Sequence, residues 1–552
     1  MDRSNGTRKQ SFPSVDLDSL VRAYYDNVPD FLEPSQRVSF GTSGHRGSSL
    51  RLTFNEAHIL AIAQAICDFR RTRSIDGPLF LARDTHALSE PAFKSALEVF
   101  AANGIQVILQ EGPWIAPTPV ISHAILRYNR GRTHHLADGV VVTPSHNPPE
   151  DGGFKYNPPH GGPAESEVTR EIEQRANGIL EAGRKEVKRL HFPQAIKSPT
   201  VLEADLIGPY VMDLGEVVDM EAIKGAGLRI GVDPLGGSTL PVWTRIAEVH
   251  GVDLEIVNRE IDPSFSFMPP DKDGRVRMDC SSPQAMAGLV ALKEKFHIAM
   301  GNDPDGDRHG IVTPLEGLWN PNRYLPLAAW YLLRSRTRWK RESALGKTVV
   351  TTSMLDKIAN SLGRKVAEVG VGFKWFVRGL LLGDYAFCGE ESAGASFLRK
   401  DGRAWTTDKD GIIMGLLAVE ILSREGRTLE ALYEEMEANF GRFFYERVDR
   451  PISPSEKRAL SGLRADMVKA RELAGAEILA VLDKAPADGA EIGGIKVVTQ
   501  AGWFAARPSG TEDVYKLYAE SFLSREHLER IKVEAQEIID ETLREKRVPD
   551  MR

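Results

Sequence analysis

A chain of 552 residues is too long for one hydrophobic core; at roughly 150 residues per domain it divides into three or four. Hydrophobic residues at 42% and charged residues at 27% give an ordinary globular composition. The net charge of -7 offers no general attraction to nucleic acid or acidic membrane, and the three scattered cysteines exclude a disulfide scaffold and a zinc ribbon.

The chain opens on a polar stretch, 1–37, whose one weakly amphipathic piece (15–25) reads as a short helix in a mobile arm. It lacks the apolar core of a signal peptide. Gly41-Thr-Ser-Gly-His-Arg46-Gly47 is dense in glycine and small hydroxyls, and apolar residues at helical spacing follow over 55–71. Strands are then expected at 79–82, 105–109 and 139–142, alternating with helices that begin at Ser89-Glu-Pro91 and at Thr118. Such alternation predicts a parallel or mixed sheet covered by helices.

A polar helical stretch (165–188) leads to a second unit. It has strands at 228–233, 252–257 and 297–300 and helices at 240–250 and 283–295. A third unit follows, with a strand at 348–351, a helix at 354–362, a strand at 385–388 and helices at 408–424 and 429–439. From about Tyr445 the pattern changes to a small α+β region: a charged helix at 455–473, strands at 495–499, 503–506 and 515–520, and a helix at 525–544. The apolar runs at 325–333 and 412–422 are too short to cross a bilayer, so a cytoplasmic protein is expected.

Four stretches carry chemistry. The β-branched run ending in Val140-Val-Val-Thr-Pro-Ser145-His-Asn holds a hydroxyl and an imidazole at a strand end, where ligand sites of α/β sheets fall. In Gly301-Asn-Asp303-Pro-Asp305-Gly-Asp307-Arg308 three alternating carboxylates can converge, and such concentrated charge calls for a hard cation. The calcium-loop pattern fails, because Arg308 and Pro314 stand where it needs Gly and Glu, so magnesium completed by a phosphate oxygen fits best against a solvated acidic turn. Arg507-Pro-Ser-Gly-Thr511 has the parts of a phosphate cradle or of an ordinary turn. Gly389-Glu-Glu-Ser-Ala-Gly394 is by itself no more than a polar turn after a strand. A P-loop, a GxSxG elbow and an HExxH pair are all absent, which removes P-loop nucleotide hydrolysis, elbow-type serine hydrolysis and zinc proteolysis.

In this order these stretches resemble the α-D-phosphohexomutase superfamily from about Phe40 to the end, most closely its bacterial phosphoglucomutase branch. Gly152-Gly-Phe-Lys155 and Gly372-Phe-Lys374-Trp375 add to the match. The resemblance implies a four-domain architecture around a central cleft. Three α/β domains with mixed sheets covered by helices (38–205, 206–322, 323–443) and a mobile C-terminal α+β domain (444–552) follow the 1–37 arm. It implies reversible interconversion of α-D-glucose 1-phosphate and glucose 6-phosphate, through a phosphoserine and a glucose 1,6-bisphosphate intermediate.

Carried over residue by residue, the resemblance makes Ser145 the phosphoserine, with Asp303, Asp305 and Asp307 joining it around Mg²⁺. Arg46 and His146 surround the transferring group, and Lys155 and Lys409 are the catalytic lysines. Thr42, Ser43, Arg308, Gly372, Lys374, Glu390 and Ser392 contact the sugar phosphate, and Arg507, Ser509, Gly510 and Thr511 hold its non-reacting phosphate. The expected partners are hexose phosphates alone, with no nucleic acid or membrane, for a monomer or homodimer. Gly394 ends the sugar loop as in the glucose branch rather than with the His of the mannose and glucosamine branches; Val371 replaces a Thr found in animal relatives. The alternatives are a phosphomannomutase or dual-specificity mutase, a sugar-phosphate phosphatase, and a non-catalytic sugar-phosphate-binding protein.

Overall fold

The strand Asp138–Val142 is buried at every position, as its β-branched run requires, and lies within a seven-stranded mixed sheet. The computed structural model that shows this describes residues 15–41, 44–509 and 514–547. Asp138–Val142 and Val107–Gln110 flank Leu79–Arg83 in parallel, and Val201–Ala204 extends the parallel set. On the other side Gly152–Asn157 and then Gly44–Gly47 add antiparallel. Helices Glu56–Thr72, Ser89–Ala102 and Ser166–Glu181 contribute Ile59, Ile62, Ile66, Phe93, Phe100, Ile172 and Ile179 to its core.

The chain forms two compact units. One comprises the residues up to Trp319 together with Trp405–Arg424; the other comprises Asn320–Ala404 together with the chain from Glu425 onward. The first unit holds the seven-stranded sheet and a five-stranded one. In the latter Ile230–Asp233 lies between Leu254–Ile256 and Ile298–Asn302, both parallel to it, and His309–Thr313 and Gly317–Leu318 continue antiparallel. Residues 303–308 therefore form the connection of a hairpin that leaves the carboxyl end of a parallel strand.

The second unit contains a four-stranded mixed sheet in the order Val366–Val369, Ala344–Thr348, Tyr385–Glu390, Gly394–Phe397. It also contains a six-stranded antiparallel sheet, covered by the helix Arg525–Arg547 through Leu528, Ile531, Ala535 and Ile539.

Several elements depart from expectation. The helix Leu17–Asp26 is no free arm: Leu20 and Tyr24 are fully buried in the first core, and the Tyr24 hydroxyl donates to Ser95 Oγ at 3.0 Å. Leu20, Ala23 and Tyr24, on one face of the helix, dock it. Ser89 does not cap its helix, since its hydroxyl donates instead to Asp84. The helix expected over 283–295 shrinks to Ala287–Val290 plus a single 3₁₀ turn at Lys293–Lys295. The strand expected at 348–351 lies earlier, at Ala344–Thr348; Val349 and Val350 are buried past its end. The helix expected over 455–473 stops at Ser461, before Gly462. No helix among the described residues is long and apolar enough to cross a membrane.

Candidate active site

Ser145 follows Asp138–Val142 by a short turn and is 1% exposed. Its φ of 61° lies in the left-handed region that a non-glycine residue adopts only at a cost. Its N–H donates to Thr143 Oγ1 at 2.8 Å, and its Oγ donates to Asp303 Oδ2 at 2.7 Å. His146 Nδ1 lies 3.3 Å from the same Oγ. The neighbouring strand Gly152–Asn157 runs close beneath this turn: a Cβ at Gly153 would collide with the backbone of Thr143 and Pro144.

Asp303, Asp305 and Asp307 are buried, and one carboxylate oxygen from each lies within 4.8 Å of the others. Lys155 Nζ is 2.5 Å from Asp305 Oδ2 and 3.0 Å from Asp307 Oδ2, and Lys409 Nζ is 3.1 Å from Asp307 Oδ2. Arg308 N–H donates to Asp303 Oδ1 at 3.0 Å. Oδ1 of Asp305 and Oδ1 of Asp307 are buried with no hydrogen-bond partner, although a buried carboxylate oxygen is costly to leave unpaired. An all-oxygen donor set with two such orphaned atoms suits a hard divalent cation.

The electrostatics follow from this crowding. Burial, then the charges of Asp305 and Asp307, push the Asp303 carboxyl well above the usual range. Burial acts the same way on Asp307, but Lys155, Lys409 and Arg308 outweigh it and hold that carboxyl low. Burial works against the charge on Lys155, yet its two carboxylate neighbours raise its value. His146 is pushed far down by burial and then by the nearby Arg308 guanidinium, so its imidazole is neutral at pH 7.

Of the residues singled out in the sequence, Ser145, His146, Lys155, Asp303, Asp305, Asp307, Arg308 and Lys409 thus share one network in the first unit. Arg46 lies within electrostatic reach of its three aspartates and donates to Asn147 Oδ1, beside His146, at 2.9 Å. In the second unit Glu390 closes the strand Tyr385–Glu390, and its Oε1 accepts from Gly372 N–H at 3.1 Å. Ser392 is half-buried in the following turn, where Ala393 has φ 67°. Lys374 Nζ stands 5.3 Å over the Trp375 ring. Arg507 lies in the strand Gly502–Pro508, and Ser509 is buried just beyond, its N–H donating to Val514 O at 2.8 Å. Thr42, Ser43, Gly510 and Thr511 lie outside the described residues.

Sequence reading missed the residues that support this set. The Thr118 hydroxyl donates to Asp305 Oδ2 at 2.6 Å, and its N–H donates to Asp305 O at 2.8 Å, at the start of the helix Thr118–Asn129. Asp279 Oδ2 lies 3.6 Å from Arg308 Nη1, and the Met278 N–H beside it donates to His146 O at 3.2 Å. Asp410 accepts from Tyr210 Oη and Trp405 Nε1, which fixes the segment carrying Lys409. Asp84 and His86 stand behind the Ser145 turn. Of these only Asp84-Thr-His86, directly after a predicted strand, carried a positional signal.

Mixed α/β sheets with a buried serine and an acidic metal-type loop at their strand ends suit an enzyme that transfers a phosphoryl group. The comparisons specify it. Models of the phosphoglucomutase/phosphomannomutase family match in chain order: alpha/beta/alpha domain I at residues 37–182, domain II at 208–316, domain III at 320–440 and the C-terminal domain at 463–538. The phosphoglucomutase of Komagataeibacter xylinus is 56% identical over 525 residues, covering 95% of each chain. Among solved structures, a putative phosphomannomutase from Thermus thermophilus superposes with a TM-score of 0.70 at 25% identity, over 91% of this chain and 99% of that one. Parafusin of Paramecium superposes with a TM-score of 0.71 at 20% identity, over 92% and 95%, and shows the shared fold. The chain belongs to the phosphoglucomutase/phosphomannomutase family.

Proposed function

We propose that the protein is a phosphoglucomutase, an intramolecular phosphotransferase that interconverts α-D-glucose 1-phosphate and glucose 6-phosphate. The observation that carries the reading is the placement of Ser145 Oγ 2.7 Å from Asp303, beside two further buried carboxylates and two lysines. A free serine is a weak nucleophile, but a phosphoserine is a phosphoryl donor. PhosphoSer145 donates to O6 of glucose 1-phosphate, giving bound glucose 1,6-bisphosphate. Ser145 then takes back the C1 phosphoryl group, and glucose 6-phosphate leaves. The near-full-length relative at 56% identity supports glucose as the sugar.

Asp303, Asp305, Asp307 and a phosphate oxygen on Ser145 would hold Mg²⁺. Bound there, the ion offsets the charge gathered between phosphoserine and carboxylates and polarises the transferring group. Lys155 and Lys409 hold protons at Nζ beside Asp307, and Lys155 is the candidate for proton transfer at the sugar hydroxyl, a role that requires its carboxylate partners to be taken up by the cation first. Arg46 and the neutral His146 orient the phosphoryl oxygens, so that positioning supplies much of the rate. Glu390, Ser392, Gly372, Lys374 and Arg308 serve the sugar phosphate, and Arg507, Ser509, Gly510 and Thr511 its second phosphate.

Peptide mass spectrometry of the purified protein tests the reading. One phosphoryl group is expected on the Ser145 peptide, removed by glucose 1-phosphate and restored by glucose 1,6-bisphosphate. Release of inorganic phosphate without glucose 6-phosphate, or phosphate carried on another peptide, overturns it.

A further inference from the structure

We propose that Asp84 and His86 are a positioning pair that grips the Ser145 turn from both sides; the proposal rests on the reading of Ser145 as the phosphate carrier. Both residues follow the strand Leu79–Arg83, which pairs with Asp138–Val142, and the Asp84 N–H donates to Val142 O at 3.1 Å. Both are buried, at 0% and 1% exposure.

Asp84 Oδ2 accepts from the Thr143 hydroxyl at 2.6 Å, and that hydroxyl in turn accepts the Ser145 N–H. His86 Nδ1 lies 2.8 Å from the same Oδ2, and Nε2 lies 3.0 Å from the carbonyl oxygen of Asn147. A carboxylate and a carbonyl only accept, so both ring nitrogens donate and the ring is an imidazolium. One buried ion pair therefore reaches two residues before Ser145 and two residues after it. Between those anchors sits the strained φ of 61°. Burial opposes the charge on His86, but Asp84 outweighs it and raises its value.

The remaining oxygen of Asp84 is equally committed. Oδ1 accepts from the Ser89 hydroxyl at 2.5 Å and from the His86 N–H at 3.0 Å. With four contacts the carboxylate has its lone pairs filled and is free neither for a metal nor for proton transfer. Phe265 closes over His86, with ring centroids 4.8 Å apart. None of these bonds uses the Ser145 side chain, so the grip is the same whether Ser145 is free or phosphorylated. A phosphate carrier that must act as both donor and acceptor needs a turn that does not relax when its load changes.

The test combines residue-resolved amide exchange of the Ser145 turn with steady-state kinetics in Asp84→Asn and His86→Gln. Neither side chain touches the Ser145 or Asn147 amides' own hydrogens. Exchange at those two amides is expected to quicken at least tenfold while strand Asp138–Val142 keeps its rate, and kcat is expected to fall roughly 10–100-fold with KM for glucose 1-phosphate within about twofold. Unchanged exchange in folded variants overturns the pair, and so does faster exchange with an unchanged kcat. If the wild type shows no mutase turnover while the variants still loosen the turn, the grip stands and the functional reading falls instead. Thr143→Val, which removes one hydroxyl from a side chain of the same shape, keeps the test open where the other variants do not fold: a fall in kcat at steady KM supports the pair, and an unchanged kcat overturns it.

Discussion

Ser145 donates a hydrogen bond to Asp303, a residue 158 positions further along the chain. The serine lies in the turn that follows a strand of the seven-stranded sheet, and the aspartate begins the hairpin connection of the five-stranded one. A nucleophile and a metal-type carboxylate thus meet only once both sheets are formed. Ser145→Ala removes the proposed phosphate carrier but little packing. Mutase turnover is expected to vanish, with a melting temperature within a few degrees of the wild type; a coupled assay and a thermal melt check both, and residual wild-type turnover sinks the mechanism.

Three converging buried carboxylates, two of them with an unpartnered oxygen, make a donor set that would suit a divalent ion. Mg²⁺ at 100 times its Kd is expected to stabilise the protein by about 2.7 kcal/mol, and a chelator to reverse this. Asp305→Asn is expected to shrink that stabilisation and to slow turnover together. A variant with the full Mg²⁺-induced thermal shift would count against the Asp303, Asp305, Asp307 site.

Gly153 passes under the Ser145 turn with no room for a methyl group. Gly153→Ala forces the backbone of Thr143 and Pro144 to move, at a cost of about 1–3 kcal/mol. Turnover is expected to fall further than stability alone explains, because the shifted atoms belong to the nucleophile's turn. Parallel urea titrations and kcat measurements separate the two effects; a loss confined to stability would show that the turn absorbs the strain.

Asp233, at the end of the strand Ile230–Asp233, is 7% exposed and accepts a single hydrogen bond, from Leu235 N–H at 2.8 Å. Burial pushes its carboxyl up to about 6. The folded value exceeds the unfolded one of about 3.9, so the folded state binds the extra proton. Its contribution to stability is fully present below about pH 4 and is lost as pH rises through 6. Between pH 4 and 7 the wild type is expected to lose roughly 2–3 kcal/mol relative to Asp233→Asn, read from urea unfolding at each pH. Parallel curves would show that the carboxyl ionises freely in the folded protein.

Strands that carry a short apolar run were legible because the run is buried there, as in the valines of Asp138–Val142 and the Leu-Phe-Leu of Leu79–Arg83. Gly152–Asn157 was not, since two glycines, a lysine and an asparagine give no strand signal; the strand exists because it fits beneath the Ser145 turn and delivers Lys155. Val349 and Val350 misplaced a strand because they are buried as core residues beyond its end. Among site residues, dense short motifs stood out in the serine turn and the aspartate loop, whereas the sugar loop was legible only through the family resemblance. Thr118 and the Asp84–His86 pair act through hydrogen bonds, and Asp279 through an ion pair, to residues remote in sequence, and a local pattern does not name such a partner even where, as at Asp84, it marks a strand end.

The assignment of Trp405–Arg424 to the first unit bears on how the protein is made. Lys409, which faces Asp307, leaves the ribosome only after Asn320–Ala404 has been synthesised. At ~5–20 residues per second the wait is on the order of ten seconds. During that interval the nascent first half holds its aspartates without one of their two lysines, and without the apolar helix Gly411–Glu425.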